Sequence, residues 1–163
     1  MRNFEQVIDD LGPALGRVAA SYERNTALRE ELLQEIWLAV FRSLPQLKDA
    51  AKLRSFVFRI AHNCCVDHVV KHAGAPATTA DIPPDLQSHE STPEQHLLGR
   101  ERSRRLVEAV RRLELPYRQV ITLLLEDMSY SEIAEALGIS VANVGVRVNR
   151  AKVQLKEYVH NDR

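Results

Sequence analysis

Cysteine is almost missing from this chain: Cys64 and Cys65 are the only two, and they are neighbours. A bridge between neighbours is strained and two cysteines build no framework, so a disulfide scaffold is excluded. A reducing, cytosolic compartment is the expectation. No apolar run approaches the roughly 20 residues that span a bilayer. No charged start followed by an apolar stretch and a cleavage site marks a secretion signal. Alternating Val/Ile/Thr runs and Asn-Gly turns are also missing, which excludes a β-rich fold. Charge of one sign is not in excess: 22 Lys plus Arg stand against 22 Asp plus Glu. Net charge therefore announces no polyanionic partner.

Chemistry-bearing constellations are equally thin. There is no glycine-rich phosphate loop, no Ser/His/Asp order and no paired carboxylates in a cleft pattern, so no catalytic residue is expected. His62, Cys64, Cys65, His68 and His72 cluster in sequence, and His68 and His72 are four apart. Adjacent cysteines cannot both face one metal on a helix, so neither a metal site nor a cofactor is expected.

What is present is Leu, Ala, Arg and Glu at helical spacing, with 45% apolar residues across 163 positions. That is enough to bury a core, and the periodicity predicts an all-α chain. Composition cuts it in three. Residues 73–93, "AGAPATTADIPPDLQSHESTP", hold four of the seven prolines, three acidic residues and no basic one. That stretch reads as a flexible linker with ends about 25 Å apart. An ordered loop is the alternative, but structureless loops of that length are uncommon inside compact domains. Two small helical domains, 1–72 and 94–163, are thus expected.

In the first domain Phe4, Val7, Ile8 and Leu11 mark a short amphipathic segment. Gly12-Pro13 is expected to break it, with Pro13 opening the next helix. Asn25-Thr26 can cap a helix to about Ser43, with Leu28, Leu32, Ile36, Ala39 and Val40 as one apolar stripe and Leu33, Trp37 and Phe41 as a second. Another helix is predicted from about Ala50 to His72, with Leu53, Val57, Ile60 and Cys64 inward. In the second domain Thr92-Pro93 with Gln95 has capping-box spacing. Leu106, Val110 and Leu113 are predicted to be the buried face of that helix. Val120, Ile121, Leu124 and Leu125 are predicted to lie inside the next.

The most informative stretch is residues 129–151, "SYSEIAEALGISVANVGVRVNRA". Ser129 and Glu132 have capping-box spacing. Ile133, Ala134 and Leu137 make an apolar face, and small Ala134 lets a second helix cross closely. Gly138 suits a left-handed helix end, Ile139 plugs the core and Ser140 caps the next helix. On that helix Val144, Val148, Ala151 and Leu155 face inward, leaving Asn143, Arg147, Arg150 and Gln154 on the other side. A second helix presenting polar side chains is the helix-turn-helix arrangement that enters a major groove. The bland alternative is a helical hairpin with a solvated polar face.

Three segments in order resemble one family. "LPYRQVITLLLEDMSYSEIAEALGISVANVGVRVNRAKVQL" (115–155) is similar throughout to the last domain of bacterial RNA polymerase sigma factors of the extracytoplasmic-function (ECF) group, sigma-70 family. "ELLQEIWLAVF" (31–41) resembles the group's polymerase-docking segment, and "KLRSFVFRIAHNCCVDHV" (52–69) its promoter-melting segment. The resemblance implies an alternative sigma factor, a non-enzyme whose partners are core RNA polymerase, promoter DNA and an anti-sigma factor. It assigns Glu31, Gln34 and Glu35 to polymerase binding. It assigns Arg54, Phe56, Phe58, Arg59, His62 and Asn63 to the minus-ten element, with the loop Gln46–Ala51 beside them. Ser140, Asn143, Arg147, Asn149 and Arg150 fall to the minus-thirty-five element. One of the two phenylalanines, Phe56, is expected in the core rather than on DNA. The linker, by the same resemblance, runs near the RNA exit path, as a nucleic-acid mimic or as a plain tether.

The chain also departs from the family. After Asp67 only Lys71 stands where a basic run is common, and Gly145 and Val146 replace a basic and a small polar residue. Two rivals therefore stay open: a free-standing helix-turn-helix regulator that needs no polymerase, and a helical interaction protein whose DNA surface has decayed.

Overall fold

The computed structural model describes residues 3–73 and 93–161; all of the expected linker except its two ends lies outside them. The described residues form seven α-helices and two short 3-10 turns, and no strand. α1 (Phe4–Ala20), α2 (Thr26–Ser43) and α3 (Leu53–Lys71) make the first region, with 3-10 turns at Leu44–Gln46 and Ala50–Lys52 between α2 and α3. α4 (Pro93–Arg112), α5 (Leu115–Leu124), α6 (Tyr130–Leu137) and α7 (Val141–Asn161) make the second.

α1 corrects the sequence reading. Gly12-Pro13 does not break it; Pro13 sits inside one continuous helix. Proline there removes one backbone donor and disfavours helix at the residue before it. Val7 on one side of the proline and Leu15, Val18 and Ala19 on the other are all buried in one face, and that shared burial carries the helix through. A capping box starts it: Asn3 Oδ1 accepts from Gln6 N–H at 2.8 Å, and Gln6 Oε1 accepts from Asn3 N–H at 3.1 Å. α2 begins as expected, with Asn25 Oδ1 accepting from Leu28 N–H at 3.0 Å, and buries Leu32, Ile36 and Val40.

α3 is buried on two sides, against α2 and against α5 and α6 of the second region. Its inward residues are Leu53, Val57, Phe58, Ala61 and Cys65. The expected Cys64 and Ile60 are only half-buried, because the helix fills the space between two packed layers and has no single inward stripe. The second region differs as well: Leu106 and Leu125 are exposed and Leu124 is half-buried, while Leu123 and Thr122 are buried.

The two regions are not independent. One contiguous buried cluster runs from Val7, Leu32 and Phe58 through Val110, Leu123, Ile133 and Val148. Polar ties cross the boundary. Arg17 makes a bidentate pair with Glu126, its Nε and Nη2 reaching the carboxylate at 2.9 and 2.7 Å. Arg24 meets Glu108 at 2.8 Å, and Lys52 meets Glu135 at 2.8 Å. Arg111 Nε donates to the Ala20 carbonyl at 2.8 Å.

Candidate nucleic-acid interface

The helix-turn-helix forms as its local chemistry dictates. Ser129 Oγ accepts from Glu132 N–H at 3.1 Å while Glu132 Oε1 accepts from Ser129 N–H at 2.9 Å. Gly138 ends α6 at φ 70°, ψ 34°, a left-handed conformation that costs glycine little. The amides of Gly138 and Ile139 both donate to the Ala134 carbonyl, at 2.9 and 3.1 Å. Ser140 Oγ then accepts from Asn143 N–H at 3.1 Å and opens α7. Val144, Val148 and Ala151 are fully buried. Asn143, Asn149 and Arg150 are exposed on the opposite face, and Arg147 is half-buried at its flank. Val146, one of the departures from the family, shares the exposed face at 47% exposure.

The segment that the resemblance assigns to docking lies on α2. Glu31, Gln34 and Glu35 are exposed on one side of α2. The same side continues into Leu38 and Phe41, exposed at 49% and 57%. Phe41 was expected in a second apolar stripe; instead it lies outside, edge-on to Phe4 at 5.1 Å between centroids. The exposed surface is thus acidic at its N-terminal end and apolar at its C-terminal end.

The minus-ten candidates are arranged otherwise. Phe58, not Phe56, is the core residue: Phe58 is fully buried and Phe56 half-buried. Arg54 donates to the Glu126 carbonyl, and Arg59 to the Glu135 carbonyl at 2.6 Å. Both acceptors belong to the second region. Phe56 lines a groove with Lys52, Arg59 and, across the boundary, Glu135 of α6. His62 is 2% exposed, its Nδ1 3.0 Å from Tyr22 Oη and its Nε2 3.4 Å from Thr122 Oγ1. Burial pushes its pKa down to about 3, so the imidazole is neutral. Burial also raises the Tyr22 hydroxyl and the Cys65 thiol above their ordinary values. Asn63 alone of this set is exposed without a described tie. Beside these residues a cavity of about 540 Å³ is lined by Leu11, Leu44, Leu47, Ala50, Ala51, Leu53 and Arg54. The second region therefore lies across the face that the resemblance assigns to melted DNA. The signal that sequence offered for this was weak: arginines in α3, Glu126 in the turn after α5 and Glu135 in α6, with no indication that they meet.

Among the described residues no group of His, Cys, Asp and Glu is placed to hold a metal ion; His68 Nε2 instead lies 2.8 Å from Glu23. Hydrogen bonds from His68 and from the Asn25 amide hold the Glu23 carboxyl below its usual range, outweighing the opposing and larger single effect of burial. No helix among the described residues is long and apolar enough to cross a membrane.

Residues 7–74 match the family model for sigma-70 region 2, and residues 103–155 match that for sigma-70 region 4. The chain is 26% identical to RNA polymerase sigma factor SigZ of Bacillus subtilis over 156 residues, covering 95% of this chain and 86% of that one. It is 28% identical to the ECF sigma factor SigM of the same organism, covering 86% and 85%. The fold matches that of the sigma factor RpoE of Bartonella quintana, solved in complex with the anti-sigma factor NepR, with a TM-score of 0.76 at 20% identity over all of both chains. Two region matches in family order, on a chain whose fold is shared from end to end, identify it: the protein belongs to the ECF group of the sigma-70 family.

Proposed function

We propose that this chain is the promoter-specificity subunit of RNA polymerase, directing the core enzyme to a defined set of promoters. Residues 1–72 dock on the core and open the minus-ten element, and residues 94–163 read the minus-thirty-five element. The chemistry of transcription is the polymerase's. The observation that carries the reading is the pair of family matches in order on a chain whose α7 keeps Asn143, Asn149 and Arg150 outward.

Glu31, Gln34 and Glu35 form the polar part of the docking surface, and Leu38 and Phe41 supply its apolar part. Asn63, Phe56 and the cavity beside Gln46–Ala51 take unpaired bases, since aromatic rings stack on any base and an enclosed site offsets the cost of unstacking. Arg54, Arg59 and His62 join them only after the second region moves away, because the closed form uses all three internally. The closed chain is thus the resting form, and docking on core polymerase is what separates the two regions. A chain without net charge is compatible with this role: Arg17, Lys52, Arg54 and Arg59 are held against carboxylates and carbonyls in the closed form, and the polymerase supplies the nonspecific affinity. A partner that stabilises the closed form would silence the protein; a sigma factor of the same fold was solved with an anti-sigma factor, and we assign this chain such a partner.

The test is co-elution with purified core polymerase followed by run-off transcription from the promoter of the protein's own operon. Core binding with promoter-dependent transcripts is expected. A folded chain that ignores core but binds naked duplex would be a free-standing regulator instead.

A further inference from the structure

Val146 stands in the middle of the outward face of α7. It is 47% exposed, three residues after Asn143, three before Asn149 and four before Arg150, all of which are exposed beside it on the helical repeat. Exposed valine gains nothing from water, and a β-branched residue weakens a helix slightly. Its neighbour Gly145 adds no side chain beside it. Val153 is exposed too, at 59%, but lies nearly two turns further along, whereas helices of this motif read bases with their N-terminal turns.

Against a major groove, Val146 can neither donate nor accept a hydrogen bond. A base edge bearing an amino group or a carbonyl would lose water there without compensation. The one base feature in the groove that favours contact with carbon is the 5-methyl group of thymine. We infer that Val146 is a specificity-determining residue that selects thymine at one position of the minus-thirty-five element by packing on that methyl group. Asn143, Asn149 and Arg150 read the flanking pairs through hydrogen bonds. The inference rests on the reading of α7 as the minus-thirty-five helix.

The experiment uses holoenzyme reconstituted from core polymerase and the full chain. A promoter is first selected from a library randomised in the minus-thirty-five element. Each thymine on either strand is then replaced by deoxyuridine, which removes the methyl group and nothing else. Binding is expected to weaken about fourfold at one position, the equivalent of about 0.8 kcal/mol for one buried methyl-sized group. Val146→Ala should bind the thymine promoter more weakly and show no penalty for deoxyuridine, the coupling that marks a direct contact. Because Val146 is exposed, that variant should fold as the parent does. Equal binding to thymine and deoxyuridine at every position would overturn the proposal, as would a penalty that persists in Val146→Ala. A holoenzyme indifferent to scrambling of the whole element would overturn the assignment of α7 itself, which separates the two failures.

Discussion

His62 carries a charge only at a cost, and the cost is set by what covers it. Tyr22 faces it from the first region and Thr122 from the second, with Arg118 over the Tyr22 ring at 5.4 Å. In the closed form the imidazole takes a proton near pH 3, against an ordinary value of 6.5. The closed form therefore binds fewer protons than the unfolded chain between those values. Its contribution to stability is complete above about pH 6.5 and is lost as pH falls, by up to about 1.4 kcal/mol per pH unit. The melting temperature should fall between pH 7 and pH 5, and His62→Gln should fall less steeply; parallel falls would contradict the assignment. At the docking surface Glu35→Lys should weaken core polymerase binding at least tenfold, about 1.4 kcal/mol or more, with an unchanged melting temperature. Binding at full strength would move the docking surface elsewhere. On α2 the buried stripe of Leu32, Ile36 and Val40 is legible in sequence because one face of that helix is buried, although Phe41 lies outside it. On α3 only Leu53 and Val57 are legible: the pattern places Phe56 and Cys64 inward, yet Phe58 and Cys65 fill those positions. A one-stripe pattern cannot locate the core side of a helix packed on both flanks.

Among the elements, α6 and α7 are the pair whose form follows most directly from local sequence. Ser129, Glu132, Gly138 and Ser140 each satisfy or terminate backbone within a few residues of themselves, so nothing distant was needed to read them. Gly145 is the local exception. A Cβ there would meet Tyr130 Cε2 at 3.7 Å, an ordinary contact, and φ is not left-handed. Gly145→Ala should stabilise the fold by about 1 kcal/mol and raise the melting temperature by about 3 °C; a lower melting temperature would show that α7 needs the closer approach. α1 was misread for the opposite reason. Gly12-Pro13 is a local stop signal, and it was overridden by burial of Val7, Leu15 and Val18 against elements far along the chain.

For the whole molecule, the sequence displayed two modules but not their closure. Arg17 and Glu126 lie 109 positions apart, and no periodicity or motif connects them. Glu126 is only 8% exposed at its side chain, so an opposing charge there is felt strongly. Glu126→Lys places a third cation beside Arg17 and Arg54 and should weaken the closure by about 3 kcal/mol. The open fraction would then rise about a hundredfold, until opening is complete. Free Glu126→Lys should bind promoter duplex more tightly than the parent chain; unchanged affinity would mean that closure does not limit DNA binding. The most direct test of the account is the distance between the two regions, read by energy transfer between dyes at Asp9→Cys and Lys156→Cys in a background without Cys64 and Cys65. Both labelled positions are exposed. The account predicts efficient transfer in the free chain and a marked loss when core polymerase co-elutes with it. Transfer that stays the same in a complex shown to have formed would contradict it.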